Sequence, residues 1–403
     1  MSFLFRDEDT TNLVGASLLG GSFELPRLVA KERELEHNIA LMMKYCAVHG
    51  ASIAPHAKTT MAPSIIRRQL AAGAWGVTVA TMQQLRVCLD IGAERIILAN
   101  QLVNPTAAEW LGQALLSRPN VEVYCLVDSA SGAARLSHGL RTSGTARRLP
   151  VLVEVGVTGG RAGCRSLAQT SAVAHVIAEH KELTLVGGEG FEGILGGGRT
   201  SDELARVDEF LELLVDCAIS LESEGMFGDH PEILLSAGGS MYFDRVAETF
   251  TSPELQRRHR TVLRSGCYVT HDHGNYSGTT PLSGLDDALD PALELWSEIV
   301  SVPEHGSAIA NFGKRDTSFD AGLPVPLAKL RVASAELESC DYVRVSKLND
   351  QHAYLDTSAG PDLAIGERLI CGILHPCTAF DKWRQVLLVD EEYSVQEIID
   401  TSF

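Results

Sequence analysis

Short apolar, β-branched runs recur through the first two thirds of the chain. They are SIAPH (52–56), WGVTVA (75–80), RIILAN (95–100), VEVYCLV (121–127), PVLVEVG (150–156), TLVGGEG (184–190), EILLSAGG (232–239) and TVLRSG (261–266). Near-continuous apolar runs bounded by Gly, Pro or Asn are the pattern of parallel strands buried on both faces. Helical stripes fill the gaps. Leu35, Ile39, Met42 and Cys46 repeat at helical spacing before the first run, and Gly50 stops them. Thr81 caps a turn leading to Leu85, Cys88 and Leu89, with Gly92 at the end. The clearest helix starts at Thr200, with Glu203 three residues on as in a capping box. Val207, Phe210, Leu211, Leu214, Ala218 and Leu221 then line one face, and Gly225 closes it. Eight strands alternating with helices predict an α/β fold, a (β/α)8 TIM barrel, with a doubly wound sheet as the alternative.

After about residue 270 the texture changes. Gly and Pro rise (HDHGNYSG, GLPVPL), and short β-like runs follow: WSEIVS, YVRVS, AYLD, RLICGIL and RQVLLV. Helical stripes are absent. The division predicted is therefore a barrel over 26–270 and a smaller, mostly β domain over 271–403, with residues 1–25 packing on the β domain.

Composition narrows the function. Apolar residues make up 45% of 403, enough for a proper core, which excludes a mainly disordered chain. Lys and Arg total 34 against 52 Asp and Glu, a net charge of −18, which argues against nucleic acid or an anionic membrane as partner. No apolar run reaches the roughly 18 residues of a spanning helix. The opening MSFLFRDEDTT lacks the basic-then-apolar order of a signal peptide, so a cytoplasmic location is expected. Nine scattered Cys do not form a disulfide scaffold, and each except Cys377 is expected to be a buried thiol.

In a barrel, reactive groups lie at the C-terminal ends of the strands. Lys58 follows the first strand in APHAKTT, and a lysine this close to a buried strand is expected to be desolvated and able to form a Schiff base. His56, two residues earlier, points the same way if the strand continues. An ion-paired surface lysine is the plainer alternative. Ser236-Ala237-Gly238-Gly239-Ser240, after the seventh strand, offers converging N–H groups and hydroxyls to an anion, where barrels often hold a phosphate. Arg161 in GGRAGCR, and Arg264 and Tyr268 after the eighth strand, face the same mouth on this count. Late in the chain, His375-Pro376-Cys377 puts an imidazole and a thiol on one face if extended. That pair favours zinc over magnesium or calcium, in an open, Lewis-acid site. Asp350, His352 and Asp381 are nearby candidates to complete or orient it.

Taken in order, PHAKTT, GGRAGCR, SAGGS, LRSGCY, LNDQHAYLD and HPCTAFDKW resemble the D-serine dehydratase and D-threonine aldolase family, nearest the bacterial amino-acid or D-serine deaminases. These are pyridoxal-phosphate enzymes of the alanine-racemase-like fold. The resemblance implies that Lys58 carries the cofactor as a Schiff base. It implies that Gly238, Gly239 and Ser240 hold the phosphate, and that His375 and Cys377 bind a divalent metal, most often zinc in the dehydratases. It also implies a homodimer with sites between one barrel and the other subunit's β domain. Three positions depart from better-known members: Thr60 stands for a His, Phe191 for a Tyr, and Gln351 for an acid before His352. The expected reaction is β-elimination from a D-3-hydroxy amino acid such as D-serine, giving a keto acid and ammonia. A D-threonine-type aldolase is the nearest rival; Cys377 favours elimination, because a harder ligand stands there in the aldolases. A racemase has no use for the His-x-Cys pair. A non-catalytic cofactor carrier and a plain zinc hydrolase are the other readings.

Overall fold

The computed structural model describes residues 13–20, 23–228, 231–252, 255, 258–331 and 334–403. Two sheets organise them. The first contains β2 (Ser52–Ile53), β3 (Val77–Val79), β4 (Arg95–Gln101), β5 (Glu122–Val127), β6 (Leu149–Val155), β7 (Leu183–Gly190), β8 (Ile233–Ala237) and β9 (His259–Leu263). All its ladders are parallel, in the order β2-β9-β8-β7-β6-β5-β4-β3. The ends meet through a parallel bridge between His56 and Thr78, with Thr78 N–H on the Pro55 carbonyl at 2.9 Å. The barrel is thus closed at its mouth by the segment that leads to Lys58.

Alternation explains the filling. Ile97, Tyr124, Leu126, Leu152, Leu234 and Val262 point inward and pack together. Their neighbours Ile96, Leu98, Val123, Cys125, Val151 and Val153 point outward, under the helices. The helices around them are α1 (Glu32–Val48), α2 (Pro63–Ala71), α3 (Met82–Asp90), α4 (Pro105–Leu116), α5 (Ala130–Thr142), α6 (Leu167–Glu179), α7 (Ser201–Ser223) and α8 (Phe243–Phe250). Helix α7 has the full capping box: Thr200 Oγ1 accepts from Glu203 N–H at 3.3 Å, and Glu203 Oε2 accepts from Thr200 N–H at 3.0 Å. Its apolar stripe is buried from Val207 to Leu221. No described helix is long and apolar enough to cross a membrane.

The second sheet is mostly antiparallel. It contains β1 (Arg27–Lys31), β10 (Leu293–Glu304), β12 (Val325–Arg331), β13 (Glu336–Ser339), β16 (Arg368–Gly372), β17 (Gln385–Val389) and β18 (Val395–Asp400), in the order β13-β12-β16-β10-β1-β17-β18. From β10 a further ladder runs through β11 (Ser307–Ala310) and β15 (Ala353–Asp356) to β14 (Arg344–Leu348). The sequence division put residues 27–31 in the barrel; instead β1 lies between β10 and β17. A strand's own residues do not say which sheet receives it. In the described part of the N-terminal segment, Gly15 N–H and Leu18 N–H reach the carbonyls of Val395 and Tyr393, and Leu18 and Phe23 pack with Trp296. One short helix, α9 (Cys377–Phe380), interrupts a region expected to hold none.

Candidate active site

The mouth of the barrel holds a cavity of about 160 Å³. His56, Lys58, Arg161, Gly238, Gly239 and Arg264, six of the residues read from the sequence, line it, along with Gln101, Glu154 and Phe191. Strand β2 ends at Ile53, so His56 and Lys58 do not share an extended strand. A one-turn helix over Ala57–Thr59 turns both toward the cavity. Lys58 is exposed in the single chain rather than desolvated, because it stands at the open rim. His56 is held neutral, well below the usual imidazole range, first by burial and then by the nearby cations of Lys58, Arg264 and Arg161.

The other expected groups divide. Ser236 is part of β8 and faces the barrel interior, where its hydroxyl donates to the Val262 carbonyl at 3.0 Å; it does not line the cavity. Tyr268 is 1% exposed, and its hydroxyl accepts from Gln69 Nε2 at 3.0 Å, away from the mouth. Arg264, one residue past the end of β9, lines the cavity, while Tyr268 turns back into the core. Ser240 stands beside the cavity without lining it. Arg161 stacks over the Phe191 ring at 4.9 Å.

Three acids stand outside the predicted site residues, although the sequence places Phe191-Glu192-Gly193 after the sixth strand. Glu154 and Glu189 sit opposite each other in the β6–β7 register, and Glu189 pairs in turn with Ser236. Inward parity makes them a carboxylate layer just below the mouth. Both are buried, and Arg264 forms an ion pair with Glu189 while Gln101 donates to Glu154. Burial pushes the Glu189 carboxyl up to about 7 despite Arg264, and pushes Glu154 up as well. The signal was visible: an acid inside an otherwise apolar strand is rarely structural filler. The third is Glu192, fully buried in the turn after β7. Its carboxylate accepts from Gly238 N–H at 3.0 Å and Gly239 N–H at 2.5 Å.

The residues fit a phosphate-bearing aldehyde cofactor on this structure's own terms. The 238–239 loop already binds an anion through converging N–H groups, with Gly238 at φ +95° where a side chain is strained. A Cβ on Gly239 would come within 3.2 Å of Glu192 and Phe191. Around the cavity, His56 Nδ1, Arg264 Nε and Glu189 Oε2 are buried without a protein partner. A primary amine, an anion cradle and unsatisfied polar atoms converge on one cavity.

One residue from Lys58, the turn meets a second cluster. Thr59 Oγ1 lies 3.3 Å from Cys377 Sγ, and Cys377 Sγ lies 3.3 Å from Cys267 Sγ. The donor atoms of Cys267, His375 and Cys377 all lie within 4.8 Å of one another. His375 and Cys377 do not lie on an extended strand, since Pro376 turns the chain into α9, yet the turn still brings them together. Asp320 Oδ2 bonds His375 Nδ1 at 2.7 Å and Thr378 donates to the same carboxylate at 2.7 Å, which leaves Nε2 for the cluster. The orienting acid is therefore Asp320. Asp350 pairs with Arg315 and Asp381 with Lys382, and neither these nor His352 joins the cluster. The Cys377 thiol is pushed well down, chiefly by the hydrogen bond from Cys267, while that bond pushes Cys267 up. A soft thiol–thiol–imidazole set suits zinc.

Two family models match: the putative serine dehydratase domain over residues 292–389, and the alanine racemase N-terminal domain over residues 31–228. The D-threonine aldolase of an Arthrobacter species is 26% identical over 88% of this chain and 86% of that protein. The crystal structure of D-threonine aldolase from Filomicrobium marinum superposes with a TM-score of 0.79 at 22% identity, over 96% of this chain and 97% of that one. D-threo-3-hydroxyaspartate dehydratase from Delftia sp. HT23 gives 0.74 at 21% identity, over 96% and 98%. The chain thus carries the alanine racemase N-terminal and putative serine dehydratase domains in turn, and its fold is the alanine-racemase-like one.

Proposed function

We propose that the protein is a pyridoxal-phosphate- and metal-dependent ammonia-lyase that removes the β-hydroxyl of a D-3-hydroxy amino acid such as D-serine. The observation that carries this reading is the placement of Lys58 and the Cys/His cluster on either side of Thr59. A base for the α-proton and donors for a metal beside the β-hydroxyl then flank one substrate. Net, D-serine gives pyruvate and ammonia, with the water lost in elimination regained on hydrolysis.

The cofactor, when bound, supplies the electron sink for the α-carbanion. Lys58 holds it covalently and afterwards takes the α-proton on Nζ. The 238–240 loop anchors its phosphate. Arg264, fixed by Glu189 and by the Gly190 carbonyl, sets a cation at the cavity floor. Neutral His56 accepts hydrogen bonds there without adding charge. His375 and Cys377 hold the metal, which supplies Lewis acidity toward the hydroxyl. Lys58 stands exposed at the rim in a single chain, and a homodimer whose second β domain covers the rim would exclude water from it.

A second reading has specific support. The Arthrobacter and Filomicrobium relatives are D-threonine aldolases, and the same lysine and metal would serve Cα–Cβ cleavage to glycine and an aldehyde. The thiol donor Cys377 and the dehydratase relative from Delftia favour elimination.

A product assay separates them. Purified protein with pyridoxal phosphate and zinc is offered D-serine and D-threonine, with the L-forms as controls. Keto acid plus ammonia from the D-form alone is expected. Glycine plus acetaldehyde from D-threonine makes it an aldolase. Absence of a visible cofactor absorption band that Lys58→Ala removes overturns both, and normal activity in Lys58→Ala points to a zinc hydrolase.

A further inference from the structure

We infer that Cys267 is a third protein ligand, so that the metal sits in a Cys2His set with one position left for substrate or water. This rests on the reading that His375 and Cys377 bind a metal. Cys267 reaches them from the barrel, a different part of the chain. It opens the turn Cys267–Val269 beyond β9, at the barrel mouth, while His375 and Cys377 come from the loop and α9 beyond β16. Two domains therefore close on one point.

The geometry is that of a bound ion with little adjustment. Tetrahedral zinc with two bonds of about 2.3 Å to sulfur places the sulfurs about 3.8 Å apart, and sulfur and imidazole nitrogen slightly closer. The Sγ–Sγ separation is 3.3 Å, and every donor pair is within 4.8 Å. The two sulfurs must part by about 0.5 Å and no donor pair need close by more than about 1 Å, shifts within reach of side-chain rotation. His375 is already set, with Nδ1 on Asp320, in the carboxylate–histidine arrangement that orients metal ligands. Cys377 Sγ has Thr59 Oγ1 beside it as an outer partner. Cys267 is 5% exposed and lies against Cys377, away from solvent.

The consequence is chemical. Two thiolates and a neutral imidazole cancel the charge of a divalent ion, and three protein donors plus an open position is the pattern of catalytic zinc. Two soft thiolate donors favour zinc or cobalt over manganese and magnesium.

The test counts sulfur atoms. The full chain, purified with pyridoxal phosphate and loaded with one equivalent of zinc under reducing conditions, is measured by zinc-edge X-ray absorption. Two sulfur scatterers at about 2.3 Å are expected, falling to one in Cys267→Ser. In a chelator competition Cys267→Ser is expected to bind zinc at least 10–100-fold more weakly, the loss that even an outer partner causes. With cobalt in place of zinc, the thiolate charge-transfer band is expected to lose about half its intensity in Cys267→Ser and again in Cys377→Ser. Zinc bound through one sulfur in the unaltered protein, with the same spectrum in Cys267→Ser, overturns the third ligand and leaves the two-ligand site standing. Failure of the unaltered protein to bind zinc overturns both. If Cys267→Ser does not fold, the sulfur count in the unaltered protein decides alone.

Discussion

Gly266→Ala tests whether the two centres share one hinge. Gly266 lies between Arg264 of the cavity and Cys267 of the cluster, and its own conformation, φ −117° and ψ −45°, is open to alanine. The difficulty is space. A Cβ there would lie 2.5 Å from Thr59 Oγ1, 2.8 Å from the His56 carbonyl and 3.0 Å from His56 Cβ. All three atoms belong to the turn that carries Lys58. Replacing Gly by Ala gains about 0.4–1 kcal/mol by restricting the unfolded chain. Overpacking costs about 1–3 kcal/mol, and here one close atom is backbone, which cannot rotate away. The cost wins, for a net loss of about 1 kcal/mol. The urea midpoint is expected to fall with its slope unchanged. Zinc content and cofactor absorbance should fall together, because the displaced turn presents Lys58 to one centre and Thr59 to the other. Adding Thr59→Ala removes the nearest atom but not the His56 carbonyl. The double variant should therefore be less destabilised than the two single losses added. A neutral or stabilising Gly266→Ala, or strict additivity, would refute the argument.

The remaining predictions address single interactions. Asp320→Asn should weaken zinc binding 10–100-fold, read by chelator competition, since it loosens His375 Nδ1 without touching a ligand atom. Thr200→Ala should cost about 1 kcal/mol in the urea midpoint through loss of the α7 cap, with kcat unchanged. Glu189 gives a pH signature. Its folded carboxyl is raised by burial from 4.5 to about 7, so between those values the folded protein keeps a proton that the unfolded chain has released. Stability should fall as pH rises through that window, by an amount of order 3 kcal/mol, and the decline should stop above pH 7. Denaturation of Glu189→Gln across pH 4.5–8 should lack this slope; equal slopes in both proteins would refute the burial argument.

What the sequence made legible follows from the range of each signal. The barrel strands and α7 announce themselves through local period and local caps, so they could be read run by run. RLVAK at 27–31 is as good a strand as any, but its membership of the second sheet depends on partners more than 260 residues away. The same limit hid Cys267, which has no ligand-like spacing to His375 and Cys377 and meets them only when two domains close. Tyr268 was misplaced for a different reason. It is four residues past Arg264, but the chain turns through a 3-10 helix over Cys267–Val269, where strand parity no longer predicts direction. Glu154 and Glu189 were legible in principle, as charges where the apolar pattern demanded none.

The charge around the cavity ties these pieces to the chemistry. Lys58, Arg161 and Arg264 face Glu154, Glu189 and Glu192, so a simple count is neutral. Burial changes the count. It pushes the Glu154 and Glu189 carboxyls up and the His56 imidazole down, so the acids offset the cations less than a simple count implies. Glu192 then sits on the very N–H groups that a phosphate would use at Gly238 and Gly239. On the proposed reading, cofactor affinity is therefore a difference between two anions competing for one cradle. The surrounding cations tip that difference toward the more highly charged phosphate. The buried acids keep those cations in place without fully cancelling them, which is why a layer of carboxylates is compatible with an anion site directly above it.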